Sequence, residues 1–204
     1  MLNFICALKH EARPIIDHFQ LVDDGPGRPY ITYRNKNGTI SLTITGVGKD
    51  AAAAGTSHAF ENFQSDRTDT WLNIGIAGHK DLAVGTPVLA GIITDSASGR
   101  VWQPGVIFDA GLVTLPLITV DQPLDDYPDN AMIDMEAAGF FSSVCRAAPM
   151  DGIHCLKIIS DNMRYPSHNI SKQSVIDLIA GNIDVIDAFV TRLHAHGDYQ
   201  ATAI

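Results

Sequence analysis

Residues 132–141 read Met-Ile-Asp-Met-Glu-Ala-Ala-Gly-Phe-Phe, and residues 156–162 read Leu-Lys-Ile-Ile-Ser-Asp-Asn. The first stretch places a carboxylate, Glu136, where a polar region turns into an apolar helix, and the second places Asp161 just past an apolar strand. Carboxylates at helix starts and strand ends face ligands in open α/β folds. The two acids are 25 residues apart, about one helix plus one strand, so both can open onto one edge of a sheet.

The rest of the chain alternates apolar strands with helices. Strands are predicted at 2–8, 29–35, 39–45, 71–76, 86–94 and 153–159. Helices are predicted at 11–20, 49–63, 136–147 and 171–195, and residues 95–131, rich in Asp and Pro, are predicted to be irregular. This alternation indicates a single-domain three-layer α/β/α fold, and the hairpin signal Asn35-Lys-Asn-Gly38 makes the central sheet mixed.

Composition fits one domain over residues 1–204, with 197–204 expected to form a frayed tail. The chain is 46% hydrophobic and 18% charged, which is typical of globular proteins. No run approaches the ~18 apolar residues of a membrane helix, so no membrane span is expected. A net charge of −9 argues against a nucleic-acid partner. The N-terminus lacks a basic signal region and the cysteines are few and scattered, so a cytoplasmic location is expected.

Three polar or glycine-rich segments follow predicted strands. Gly46-Val-Gly-Lys-Asp-Ala51 matches G-x-G-x-x-A, which fits either a dinucleotide-binding turn or a tight strand-to-helix turn. Asn73-Ile-Gly-Ile-Ala-Gly78 ends a predicted central strand, where backbone N–H groups can meet a nucleophile or phosphate, or simply form a compact strand exit. Lys9-His10-Glu11 follows the first strand, where Glu11 is either a functional acid or a helix-start residue that favours the dipole.

Met135-Glu136 followed by Ser160-Asp161 resembles the signature of the purine nucleoside phosphorylase / methylthioadenosine–S-adenosylhomocysteine nucleosidase superfamily. The resemblance runs through the chain in the family's motif order. It implies a nucleoside phosphorylase-like fold and cleavage of the N-glycosidic bond of a purine nucleoside. It further implies that Glu136 holds the ribose 2′- and 3′-hydroxyls, that Met135 packs under the sugar, and that Asp161, beside substrate-binding Ser160, protonates or hydrogen-bonds purine N7.

The same resemblance makes Glu11 the base that activates water and puts Ala77 and Gly78 beside the substrate. It also implies that the glycines of 46–51 let the backbone pass close to the anion or water site, rather than bind a dinucleotide. It implies a small-molecule nucleoside as partner, no cofactor, and a homo-oligomer, dimeric or higher. A metal site is not predicted, because no set of His and Cys residues has zinc spacing. Asp134 is expected to face elsewhere than Glu136, because neighbouring positions do not share a helix face.

The identity of the nucleophile is less constrained by the sequence. The family usually carries Ser or Thr where this chain has Ile76, and no Arg precedes Gly75, so hydrolysis is favoured. Phosphorolysis, with phosphate as co-substrate and Arg13, Arg28 or Arg34 as ligand, is the second possibility. A nucleoside with a large 5′ substituent, as in hopanoid or menaquinone biosynthesis, is a variant of either reaction. The motifs are also compatible with a non-catalytic nucleoside-binding module and, through the G-x-G-x-x-A match, with a Rossmann oxidoreductase.

Overall fold

The computed structural model describes residues 1–25, 27–105, 110–124 and 126–202, with side chains described as far as residue 195. The strands are β1 Leu2–Cys6, β2 Val22–Asp23, β3 Ile31–Arg34, β4 Ile40–Ile44, β5 Thr70–His79, β6 Pro87–Asp95, β7 Val101–Trp102, β8 Val113–Thr119, β9 Met132–Asp134 and β10 Ile153–Asp161. The helices are α1 Lys9–His18, α2 Lys49–Asn62, α3 Ala137–Val144, α4 Lys172–Gly181 and α5 Ile183–Thr202.

One mixed sheet organises the molecule. Strands β4, β1, β5 and β10 lie side by side and parallel, and the antiparallel β3 and β2 extend the sheet beyond β4. On the other side β10 pairs with β6, β6 with β8, β8 with β9, and β9 returns to the end of β5, so these strands close into a ring. The carboxyl ends of the four parallel strands therefore meet at one edge, close to the rim of the ring.

Helices cover both faces of the sheet. Strand β1 is buried along its whole length, and its alternating side chains enter two separate cores, Phe4 on one face and Ile5 on the other. Helix α2 contributes Ala59, and helix α3 contributes Phe140 and Phe141, to the core that contains Ile5. Helices α1, α4 and α5 supply the other core. The predicted three-layer α/β/α fold with a mixed sheet is confirmed.

The expectation that residues 95–131 are irregular was wrong. They contain β7 and the seven-residue β8, which lies between β6 and β9. Pro116 suggested a break, but it lies beside a shift in register: Ala90 pairs with Leu115 and Ile92 with Pro116, which leaves Gly91 bulged. A bulge tolerates proline, because the missing N–H falls where the ladder is already interrupted.

The single C-terminal helix predicted at 171–195 is two helices. Helix α4 ends at Gly181, and the Asn182 side-chain amide donates to the carbonyls of Gly85 and Leu178 at 3.0 and 2.9 Å. These bonds stabilise the break before α5. The frayed tail at 197–204 stays a prediction: the α5 backbone is helical to Thr202, and residues 203 and 204 lie outside the described residues. Within the described part of the chain, no helix combines the length and apolarity needed to cross a membrane.

Candidate active site

A cavity of about 230 Å³ lies at the edge where the parallel strands end. All seven residues predicted from the sequence to bind substrate or act on it line this cavity: Glu11, Ala77, Gly78, Met135, Glu136, Ser160 and Asp161. A second cavity, of about 840 Å³, adjoins it and shares Ser160 and Ile170 with it. The fold thus brings together residues that the sequence separates by up to 150 positions.

Glu11 is fixed by the backbone on both sides. It lies in the first turn of α1, directly after β1, and its side-chain oxygens accept N–H bonds from Leu8 at 2.8 Å and Ile76 at 3.0 Å. A Cβ at Gly75 would lie 2.6 Å from Glu11 Oε1, so only glycine leaves room for this carboxylate. Burial raises the pKa of Glu11, and the positive charge of Lys157 offsets part of that rise. The result is a positioned carboxylate of increased basicity.

Glu136 is the residue immediately before α3. Its Oε1 accepts the backbone N–H of Gly48 at 2.9 Å. Gly46 and Gly48 both have positive φ, at 91° and 99°, a conformation that glycine adopts without strain. The 46–51 segment therefore forms a tight strand-to-helix turn whose N–H is directed at Glu136. Burial, and secondly the neighbouring carboxylate of Asp134, raise the pKa of Glu136 to about 7.

Asp161 ends β10 with both carboxylate oxygens engaged. Oδ1 accepts the Ser160 hydroxyl at 2.5 Å, and Oδ2 accepts the Tyr127 hydroxyl at 2.5 Å. A Cβ at Gly78 would lie 2.6 Å from both Asp161 Oδ2 and a ring carbon of Tyr127, so this part of the cavity also requires glycine. Tyr127 was not identified from the sequence, because it lies in a segment without a regular pattern.

A buried ion pair lies directly behind the cavity wall. Lys157 is within β10, its Nζ is 2.9 Å from Asp134 Oδ2, and the two side chains are only 2% and 0% exposed. Burial lowers the pKa of Lys157, but the charges of Asp134 and Glu136 and the hydrogen bond to Asp134 outweigh it, so the pKa is raised overall. The ammonium thus stays charged next to the acids.

The expectation that Asp134 faces elsewhere was wrong. Asp134 lies at the end of β9, not on a helix, and it lines the same cavity as Glu136. Besides Lys157 it accepts the Thr119 hydroxyl at 2.7 Å and the Ala137 backbone N–H at 2.9 Å. Asp134 therefore anchors the start of α3, and with it Glu136.

The signal for Lys157 was present in the sequence. Lysine is almost never fully buried unless it is paired, and this one interrupts the apolar run Leu156-Lys-Ile-Ile159. Such a position predicts a buried acidic partner. No comparable signal marked Tyr127.

The described part of the cavity lining is acidic. Among the described residues that line it there is no Lys, Arg or His, whereas Glu11, Asp134, Glu136 and Asp161 are all acidic. The three arginines considered as phosphate ligands lie elsewhere: Arg13 pairs with Asp17, and Arg28 and Arg34 pair with Asp24. Over the part of the chain that is described, no group of three or more His, Cys, Asp or Glu side chains is arranged to hold a metal ion.

No protein-family model matches the chain, and no curated protein matches it in sequence. Solved structures do match. The 5′-methylthioadenosine nucleosidase of Arabidopsis thaliana superposes with a TM-score of 0.79 at 18% identity, covering 94% of this chain and 95% of that one. The futalosine hydrolase of Helicobacter pylori gives a TM-score of 0.76 at 15% identity, covering 94% and 97%.

A third similar structure is the 5′-methylthioadenosine/S-adenosylhomocysteine nucleosidase of Colwellia psychrerythraea in complex with adenine. It superposes with a TM-score of 0.76 at 18% identity, covering 94% of this chain and 95% of that one. All three likenesses extend over nearly the whole of both chains. The protein therefore has the nucleoside phosphorylase-like α/β fold that the resemblance implied.

Proposed function

We propose that the protein is an enzyme that hydrolyses the N-glycosidic bond of a purine nucleoside. The observation that carries this proposal is the meeting of Glu11, Glu136 and Asp161 in one cavity whose described lining holds no cation. Three acids with separate hydrogen-bond environments suit three tasks: departure of the base, orientation of the sugar, and activation of water. The names of the structurally similar proteins, two nucleosidases and a hydrolase of futalosine, support the same reaction class.

Asp161 acts on the leaving base. As the base departs, the electrons of the C1′–N9 bond move into the purine ring, and a proton shared with N7 stabilises the charge that develops there. Ser160, which donates to Asp161 Oδ1, holds the carboxylate in orientation. General acid catalysis of this type contributes about 10²–10⁴-fold.

Glu136 orients the ribose. A vicinal diol offers two donors, and a carboxylate offers two acceptors at matching spacing. The Gly48 N–H fixes one of the oxygens, and Met135, which packs against the small apolar cluster at the cavity, supports the sugar from below. With a pKa of about 7, Glu136 becomes a full acceptor as the pH rises through neutrality.

Glu11 activates the nucleophile. Water attacks C1′ of the oxocarbenium-like sugar, its proton passes to Glu11, and free ribose and free base are the products. The raised pKa of Glu11 suits a base, and its two backbone N–H bonds hold it in place. The charged ammonium of Lys157, which lies behind the cavity wall, lowers the pKa of Glu11 and of Glu136 and so favours their ionised forms.

Phosphorolysis is the runner-up. A phosphate carries about two negative charges near neutral pH, and a buried site must balance them with cations or several N–H groups. The cavity is lined by four acids, and Ile76 stands where a hydroxyl is usual in the family. Water is neutral, so the acidic lining does not repel it.

A non-catalytic nucleoside-binding role would need none of the buried acids to be so firmly positioned.

We also propose that the enzyme needs no cofactor, that it assembles as a homo-oligomer and that it is cytoplasmic. The adjoining cavity of about 840 Å³ offers room for a substituent larger than a methylthio group.

The test is a panel of purine nucleosides, with small and large 5′ groups, assayed for release of free base. We expect at least one to be cleaved by the wild-type protein, and Glu11→Gln to abolish the cleavage because Gln cannot accept the proton. Glu61→Gln, an exposed position on α2, is the matched control and should keep full activity. If no member of the panel is cleaved, or if Glu11→Gln cleaves as fast as Glu61→Gln, the proposal fails.

A further inference from the structure

An exposed surface segment inserts one aromatic ring into the cavity. Among the described residues from Asp121 to Asn130, Tyr127 alone is buried, at 5% exposure. Ion pairs hold the segment near both ends, one between Lys49 and Asp121 at 2.8 Å and the other between Lys80 and Asp129. Pro123 and Leu124 of this segment also line the cavity, but Tyr127 is the buried one among its described residues.

The ring lies against residues that the proposed function assigns to the substrate. Its hydroxyl donates to Asp161, and a ring carbon lies within 2.6 Å of where a Cβ on Gly78 would be. The ring also belongs to the small apolar cluster against which Met135 packs. Tyr127 thus touches the base-assisting acid, the glycine segment and the apolar support together.

Both oxygens of Asp161 already accept a hydrogen bond in this arrangement. Ser160 occupies Oδ1 and Tyr127 occupies Oδ2, each at 2.5 Å. A purine N7–H that bonds to Asp161 competes with these two donors for the carboxylate. Ser160 is the adjacent residue on the same buried strand, whereas Tyr127 comes from the exposed segment, so Tyr127 is the donor that can move.

The size of the cavity leads to the same conclusion. With the Tyr127 ring in place it measures about 230 Å³, below the roughly 300–1,000 Å³ of ordinary small-molecule pockets. Withdrawal of a phenol ring enlarges the cavity on the side of Asp161 and uncovers the Gly78 backbone. Both changes favour a planar heterocycle there.

From these contacts we infer that Tyr127 is a specificity-determining residue, whose hydroxyl occupies Asp161 until a leaving base with a ring N–H displaces it. The inference rests on the proposed function for the placement of the base beside Asp161. For a base that already carries a proton at N7, the exchange breaks no covalent bond: one O–H···O bond from the phenol is replaced by one N–H···O bond from the base. Leaving groups without such a donor gain nothing from the exchange and are selected against.

The experiment compares two isomeric free bases in which an N–H and a C–H are exchanged between ring positions 7 and 9. 9-Deazaadenine carries an N–H at ring position 7, and 7-deazaadenine carries a C–H there. Their dissociation constants are measured by titration calorimetry with the wild-type protein, with Tyr127→Phe, and with Tyr33→Phe as a control on the distant strand β3. Tyr127→Phe keeps the ring and removes only the hydroxyl that competes for Asp161.

We expect Tyr127→Phe to bind 9-deazaadenine about tenfold or more tightly than the wild type does, the factor of one hydrogen bond to a charged group. Its affinity for 7-deazaadenine should stay close to that of the wild type, and Tyr33→Phe should change neither. Unchanged or weaker binding of 9-deazaadenine, equal gains for both bases, or binding of neither base to any of the proteins would overturn the inference. The titrations need no turnover, so a protein that cleaves no nucleoside can still show the predicted gain.

Discussion

Replacing Lys157 by Met removes the positive charge from the buried ion pair but keeps most of the side-chain length. In the wild-type protein the ammonium lies 2.9 Å from Asp134, with the two side chains 2% and 0% exposed. The variant leaves the Asp134 carboxylate buried without its counter-ion. Breaking a buried pair in this way costs about 3–5 kcal/mol, a large share of the roughly 5–15 kcal/mol that stabilises a domain. We expect a loss of that size in the free energy of unfolding at neutral pH.

The assay is urea unfolding followed by circular dichroism. Lys172→Met, at an exposed position at the start of α4, is the control and should stay within about 0.5 kcal/mol of the wild type. Combining Lys157→Met with Asp134→Asn should recover part of the loss, because the second change removes the unpaired charge. If Lys157→Met costs no more than Lys172→Met, the reasoning about the buried pair is refuted.

Three further predictions concern single positions. Glu136→Gln should lower kcat/KM by about 100-fold or more, roughly 3 kcal/mol of transition-state stabilisation; wild-type kcat/KM should rise with pH through about 7, as this carboxyl ionises, and the variant should lack that rise. Asp161→Asn should cripple purine nucleosides, whose base needs N7 protonation, but largely spare p-nitrophenyl riboside. Gly139→Ala places a Cβ 2.0 Å from the Lys49 carbonyl oxygen and should destabilise the fold by about 1–3 kcal/mol or more, whereas Gly181→Ala, with open space around it, should not.

Each of these has a clear contrary result. Near-wild-type turnover by Glu136→Gln would remove the ribose role. Equal losses on both kinds of substrate would make Asp161 structural. Unaltered unfolding of Gly139→Ala would mean that the close contact between α2 and α3 relaxes without cost.

Much of the site was predictable because its acids stand at element ends. Glu136 stands where a polar region changes to an apolar helix, and Asp161 stands where an apolar strand ends. Glu11 comes directly after the first strand. Parallel strands bring their carboxyl ends to one edge, so the spacing of these residues along the chain was enough to predict their convergence. The glycine segment 73–78 was placed at this edge for the same reason. The structure shows that Gly75 leaves room for Glu11 and that Gly78 leaves room for Asp161.

The missed features depend on contacts that periodicity does not encode. Strand β8 was not predicted because a proline such as Pro116 normally interrupts a strand. In the folded chain Pro116 lies beside the bulge at Gly91 of the neighbouring strand β6, where a proline is tolerated. The predicted orientation of Asp134 was wrong because it assumed a helical period, whereas Asp134 ends a strand. Tyr127 reaches Asp161 from a surface segment with no regular pattern, and only the folded chain brings these two side chains together.

The most direct test of the account is the sugar product formed in the presence and absence of phosphate. A cleaved nucleoside is incubated with the protein in phosphate-free buffer and then with increasing phosphate, and the products are separated as free ribose and ribose 1-phosphate. We expect free ribose at a rate that added phosphate barely changes, because the described lining of the cavity is acidic and without a cation. Ribose 1-phosphate forming in proportion to the phosphate added would contradict hydrolysis and establish a phosphorylase.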